Sequence, residues 1–149
     1  MKTSMKARQD IAAFIARHRD GFALERDFYL SDEVFAEDKD RVFYREWQLA
    51  GHVSEIPETG DYMLFEMMDE SIIISRAADG QVHALANVCR HRGSRVCVAP
   101  RGNTKRFTCP YHAWAYNLDG TLRGAAQPAS LPELDPVKYG LKPIEMDIW

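Results

Sequence analysis

Apolar residues recur at helical spacing through the first third of the chain, and from about residue 47 that rhythm gives way to short alternating or continuous apolar runs. Ile11, Phe14, Ile15 and His18 fall at i, i+3, i+4 and i+7, which predicts an amphipathic helix over residues 6–19. A second helix is predicted from Ser31, a favourable N-cap, through Val34, Phe35, Val42 and Phe43 to about Glu46. Beyond it, the segments WQLAGHV, DYMLFEM, SIIISRA and QVHALANV have the length and the β-branched or aromatic content of strands, with PETG and ADG as turns between them. RFTC continues the strand signals, WAYNLDGTL folds back at Asp119-Gly120, and a proline-rich tail runs from Pro128 to Pro143. The expected architecture is mainly β: an antiparallel β domain over 47–149 behind a helical lead-in over 1–46.

At 149 residues and 46% hydrophobic content the chain is of a size to fold around its own core. The apolar stretch Ile11–Ala16 runs straight into Arg17, His18 and Arg19 and is too short for the apolar region of a secretion signal. The longest aliphatic block is Ile72–Ile74, so no membrane span is expected. Three cysteines make no disulfide framework, and a reducing cytoplasm is the expected compartment. The net charge of -3 hides an asymmetry. Residues 80–118 contain no Asp or Glu yet carry Arg90, Arg92, Arg95, Arg101, Lys105 and Arg106, while most of the acids precede residue 80. The chain as a whole therefore does not read as a nucleic-acid binder. The basic island would favour an added electron and an acidic electron donor; alternatively, its arginines pair with acids elsewhere in the fold.

That island holds the candidate chemistry: Cys89-x-His91 in NVCRHRGSRVC, and Cys109-x-x-His112 in FTCPYHAWAY. Each pair offers one thiolate and one imidazole. Two loops placed face to face would put both sulfurs on one metal and both nitrogens on another, the ligand set of a Rieske cluster. Zinc also takes Cys2His2 sites, but usually with the two cysteines close together and the two histidines close together. Cys97 lies among Val96, Val98 and Ala99 and reads as a packed hydrophobe. His18, His52 and His83 have no partner at ligand spacing and read as ordinary polar residues, the last two inside strands.

Two ferric ions, two sulfides and two thiolates sum to zero charge when both imidazoles are neutral. Reduction is then easier than with four thiolates, which fits potentials of roughly -150 to +300 mV for such centres. Such a group carries one electron and has no open position for oxygen. Gly93 and Gly102 would allow tight loops that bring backbone N–H groups toward the sulfurs, and Pro110 would stiffen the second loop. Tyr111 and Trp114 either shield the metals or belong to ordinary core.

Together with YLSDEVFAEDKDRVFYREWQLAGHVSEIPETGDYMLFEM, the CRHRG and CPYHAWAYNLDG loops resemble the N-terminal Rieske 2Fe-2S domain of non-haem iron oxygenase α subunits, of the ring-hydroxylating type, over roughly residues 25–149. The resemblance implies an antiparallel Rieske β domain with a 2Fe-2S cluster on Cys89, His91, Cys109 and His112. It implies a reductase or ferredoxin as electron donor. The acceptor would be a mononuclear non-haem Fe(II), held by two His and a carboxylate in a C-terminal catalytic domain. The parent reaction would be an O2-dependent hydroxylation or demethylation, mono- or dioxygenase, of an aromatic acid or a quaternary amine. The whole protein would be a homo-oligomer, a trimer in the family. No His follows His112, so the mononuclear iron is expected in a domain beyond this chain. Respiratory Rieske proteins carry a further, disulfide-bonded Cys in each loop, which CPYHAWAY lacks. A stand-alone Rieske ferredoxin is the alternative, and a zinc-stabilised binding module a further one. Where the family usually has Gly after the second His, this chain has Ala113.

Overall fold

The computed structural model describes residues 5–125 and 135–149, and the chain divides into two compact units, Met1–Leu49 and Ala50–Trp149. The first unit holds helices α1 (Met5–Arg17), α2 (Arg26–Leu30) and α3 (Asp32–Asp38), followed by a π-helical turn over Lys39–Phe43. Ser31 caps α3 by accepting the Val34 N–H at 3.4 Å, and Asp32 and Glu33 in the first turn suit the positive end of the helix dipole. The helix expected from Ser31 to Glu46 thus begins where predicted but changes register at Lys39. Helix α2 is not foreshadowed by the pattern because none of its five residues is buried, so it leaves no apolar stripe.

The second unit is two antiparallel sheets. Strands β1 (Asp61–Met67), β2 (Glu70–Arg76), β3 (Val82–Ala86) and β4 (Arg101–Asn103) form the first in the order β3-β2-β1-β4; β5 (Phe107–Thr108), β6 (Ala115–Tyr116) and β7 (Leu122–Gly124) form the second in sequence order. The register places Tyr62 opposite Ser75 and Phe65 opposite Ile72 on β1 and β2, and Ile73 opposite Leu85 on β2 and β3. Ile72, Ile73 and Ile74 form a continuous apolar run because β2 is covered on both faces. Ile73 packs with Leu85, Phe107, Trp114, Tyr116 and Leu141, whereas Ile72 and Ile74 pack with Ile56, Met63 and Ala84. The first of these clusters also contains Cys89 and Cys109, so the candidate ligands grow out of the main core.

WQLAGHV is not a strand. His52 instead N-caps a 3-10 turn, Val53–Glu55, with its Nδ1 accepting from Ser54 N–H and Glu55 reaching back to the His52 N–H at 3.1 Å. Trp47 and Leu49 are exposed and pair with no strand among the described residues. Gly120 turns the β6–β7 hairpin at φ +87°, and a Cβ there would sit 2.6 Å from a Leu85 methyl, so both backbone and space require glycine. Of the proline-rich tail, residues 126–134 lie outside the described residues; Pro143 pairs with Leu85 at the free edge of β3. No helix among the described residues is long and apolar enough to cross a membrane.

Candidate metal centre

Cys89 and His91 stand on the loop leaving β3, and Cys109 and His112 on the loop between β5 and β6. The two loops close in the same way. In the first, Gly93 N–H donates to Cys89 O at 2.9 Å and Cys89 N–H donates to Ser94 O at 2.8 Å; in the second, Ala113 N–H donates to Cys109 O at 3.0 Å and Cys109 N–H donates to Trp114 O at 2.8 Å. Gly93 and Ala113 are therefore equivalent, and both hold positive φ, +72° and +54°. The departure at Ala113 is one of backbone conformation: an L residue occupies the left-handed position that its twin gives to glycine. Gly102 does not shape a loop. It lies in β4, where the Tyr62 ring would come within 3.1 Å of an added Cβ.

The four side chains fall into two pairs by type. Cys89 and Cys109 are buried in the same core cluster, at 3% and 2% exposure. The His91 and His112 rings lie 4.7 Å apart, nearer the surface. Trp114, itself buried, stacks on His91 at 5.1 Å and 6°, while exposed Tyr111 leans on His112 at 3.8 Å. Each imidazole thus has its own aromatic wall.

Burial alone would raise the Cys109 thiol. The N–H groups of Tyr111 and His112 and the Cys89 and Ser94 side chains outweigh it and hold the thiol below its usual range. Burial, with His91 and Arg92 nearby, pushes His112 down toward the neutral imidazole. Its Nδ1 is buried without a hydrogen-bond partner. An acidic thiol, a neutral ring and an orphaned buried nitrogen are the state in which side chains donate lone pairs to a metal. No three His, Cys, Asp or Glu side chains among the described residues converge as they would around one tetrahedral ion. A two-iron cluster bridged by its own sulfides asks for only two protein ligands per iron, and this two-and-two division fits it.

Tyr116 lies outside the Cys/His pattern and is not signalled by it. Its hydroxyl accepts the Arg90 N–H at 3.0 Å and lies 3.3 Å from Cys89 Sγ. Burial, with the Cys89 sulfur, raises the phenol above its ordinary range, so its own proton remains available to that sulfur. Cys97 is buried in the core, its thiol pushed up to about 12 by burial, and takes no part in the centre. His83 Nε2 stands 3.9 Å from Asp79, and His18 Nε2 pairs with Phe22 O at 2.9 Å. Within the basic island, Arg95 pairs with Glu66 and Arg101 with Glu55; Arg90, Arg92, Lys105 and Arg106 make no ion pair among the described residues.

The profile of the Rieske [2Fe-2S] domain family matches residues 46–135. The glycine betaine monooxygenase oxygenase subunit of Pseudomonas aeruginosa (strain UCBPP-PA14) is 39% identical over 140 residues, covering 94% of this chain and 32% of that protein. Among solved structures, naphthalene 1,2-dioxygenase from Rhodococcus sp. bound to indole superposes with a TM-score of 0.84 at 32% identity, covering 95% of this chain and 33% of that one. A quaternary ammonium Rieske monooxygenase in complex with gamma-butyrobetaine gives a TM-score of 0.75 at 32% identity, over 82% and 35% of the two chains. The chain spans about a third of the length of these relatives.

Proposed function

The chain belongs to the Rieske [2Fe-2S] domain family, and from that premise we propose that Cys89 and Cys109 hold one iron and His91 and His112 the other, in the electron-transfer domain of an oxygenase α subunit. When bound, the cluster supplies reversible storage of one electron at a raised potential. The chain's own residues set the conditions. Buried Cys89 and Cys109 anchor the inner side, and the imidazoles of His91 and His112 face outward. The Tyr116 hydroxyl donates toward the Cys89 sulfur, and Trp114 keeps water from the inner face of His91. Arg90 and Arg92, exposed on either side of His91, offer positive charge to an electron donor.

Electrons enter from a reductase or ferredoxin and leave for a mononuclear non-haem iron outside these 149 residues. The parent protein uses O2 to hydroxylate or demethylate a small organic substrate. The glycine betaine and quaternary ammonium monooxygenases among the relatives support a quaternary amine, and the naphthalene enzyme supports an aromatic compound. A homo-oligomer in the cytoplasm completes the proposal.

The observation that carries it is the pairing of two cysteines buried in one core cluster and of two imidazoles 4.7 Å apart nearer the surface, with His112 Nδ1 buried and unpaired. The test is iron, sulfide and zinc content of anaerobically purified protein, with electron paramagnetic resonance before and after dithionite. Two irons and two sulfides per chain, with a rhombic signal only on reduction, are expected. Zinc without that signal overturns the proposal. Substituting His112→Cys adds negative charge and should lower the midpoint potential.

A further inference from the structure

Asn87 follows β3 directly, two positions before Cys89, and is entirely buried. An amide without access to water must place two N–H donors and the lone pairs of its carbonyl oxygen within the protein. Asn87 places them all. Its Nδ2 donates to Ser71 Oγ at 3.0 Å and to Cys97 O at 2.7 Å. Its Oδ1 accepts the Val96 N–H at 2.9 Å and the Cys97 N–H at 2.8 Å. Its own backbone N–H donates to Ser71 O at 2.9 Å.

The contacts continue outward and return. Ser71 Oγ donates to Glu66 Oε1 at 2.8 Å, and Glu66 is gripped by Arg95 through two N–H···O contacts of 3.0 and 3.1 Å. Arg95 precedes Val96, so the path from the first ligand loop through β1, β2 and Asn87 ends on the same loop one residue later. That limb also carries Ser94. Its carbonyl accepts the Cys89 N–H at 2.8 Å. A buried amide gives back in hydrogen bonds much of what it loses in hydration, so its net gain for stability is modest. What a fully satisfied network adds is a single geometry.

We infer that Asn87 is a positioning residue for the metal centre: it fixes the return limb 94–97 of the first loop, whose Ser94 carbonyl holds the Cys89 backbone, and thereby sets the potential of the cluster. The inference rests on the Rieske reading above. Asn87 touches no ligand side chain; its effect passes through the backbone of Val96 and Cys97.

The experiment uses the 149-residue chain with Asn87→Ala, and Ser71→Ala as a milder variant that removes only one of the amide's partners. In Asn87→Ala the Val96 and Cys97 amides should exchange about tenfold faster, while amides in β1 and β2 keep their protection. The midpoint potential should shift, because the limb that anchors the Cys89 backbone through the Ser94 carbonyl loosens, and the paramagnetic resonance lines should broaden. Freed amides with unchanged potential and line width would reduce Asn87 to a structural clip and overturn the inference, as would unchanged amide exchange. Where Asn87→Ala does not fold, Ser71→Ala should show the same changes at smaller size, and an unchanged potential there overturns it equally. A wild-type chain that assembles no 2Fe-2S cluster defeats the Rieske reading, and amide exchange in the metal-free protein then still decides whether Asn87 holds the limb.

Discussion

A hydroxyl that accepts one backbone N–H has its own proton left to give, and at Tyr116 the Cys89 sulfur lies 3.3 Å away to receive it. Hydrogen bonds to sulfur favour the reduced cluster because it carries the extra negative charge. Tyr116→Phe should therefore lower the midpoint potential by about 40 mV, the equivalent of about 1 kcal/mol of differential hydrogen bonding, measured by voltammetry. An unchanged value would mean that the proton points elsewhere. The twin positions Gly93 and Ala113 give a second test with opposite signs. Ala113→Gly should raise stability by about 0.5 to 1 kcal/mol by releasing a residue held at φ +54°, and Gly93→Ala should lower it by about 1 kcal/mol. Nothing lies within 4 Å of a Cβ added at Gly93, so that loss is purely one of backbone conformation. Denaturant midpoints of the two variants check both signs, and a loss in each would show that the loops are not equivalent.

At the scale of elements, β2 ties the site to the core, since fully buried Ile73 shares one cluster with Cys89 and Cys109. Ile73→Ala should cost about 3 kcal/mol of stability in urea unfolding, with the cavity adding to the lost burial. An effect below about 1 kcal/mol would mean the core closes over the gap. This strand was legible because three successive isoleucines between turn residues are too short a run for a helix and too apolar for a loop, and β1 matches DYMLFEM residue for residue. The ligand pairs were legible because four scarce side chains at fixed spacing carry their own chemistry. β4 was not, since its three exposed residues show no pattern and owe their strand form to pairing with β1. WQLAGHV misled because strand-like composition needs a neighbouring strand, and His52 and Glu55 satisfy the backbone locally instead. Asn87 and Tyr116 carry no mark in the sequence because their roles depend on partners 9 to 27 residues away.

Over the whole molecule the charge pattern outlasts folding only in part. Among the described residues, two of the island's six cations are taken by acids on the same unit, and Arg90 and Arg92 stay exposed beside His91. Reduction by an acidic protein donor should slow steeply between low and physiological salt, as the screening length shrinks to about 8 Å. Stopped-flow rates independent of salt would remove electrostatic steering from the account. The outgoing chain has a different consequence for anyone handling this protein. Ala86 N–H donates to Lys142 O and Ile144 N–H to Ala84 O, each at 2.8 Å, so residues 142–144 stitch the outer edge of β3. A version trimmed before Lys142 would keep all four candidate ligands yet bare an apolar strand edge that invites a second copy to add on, so that the trimmed form self-associates.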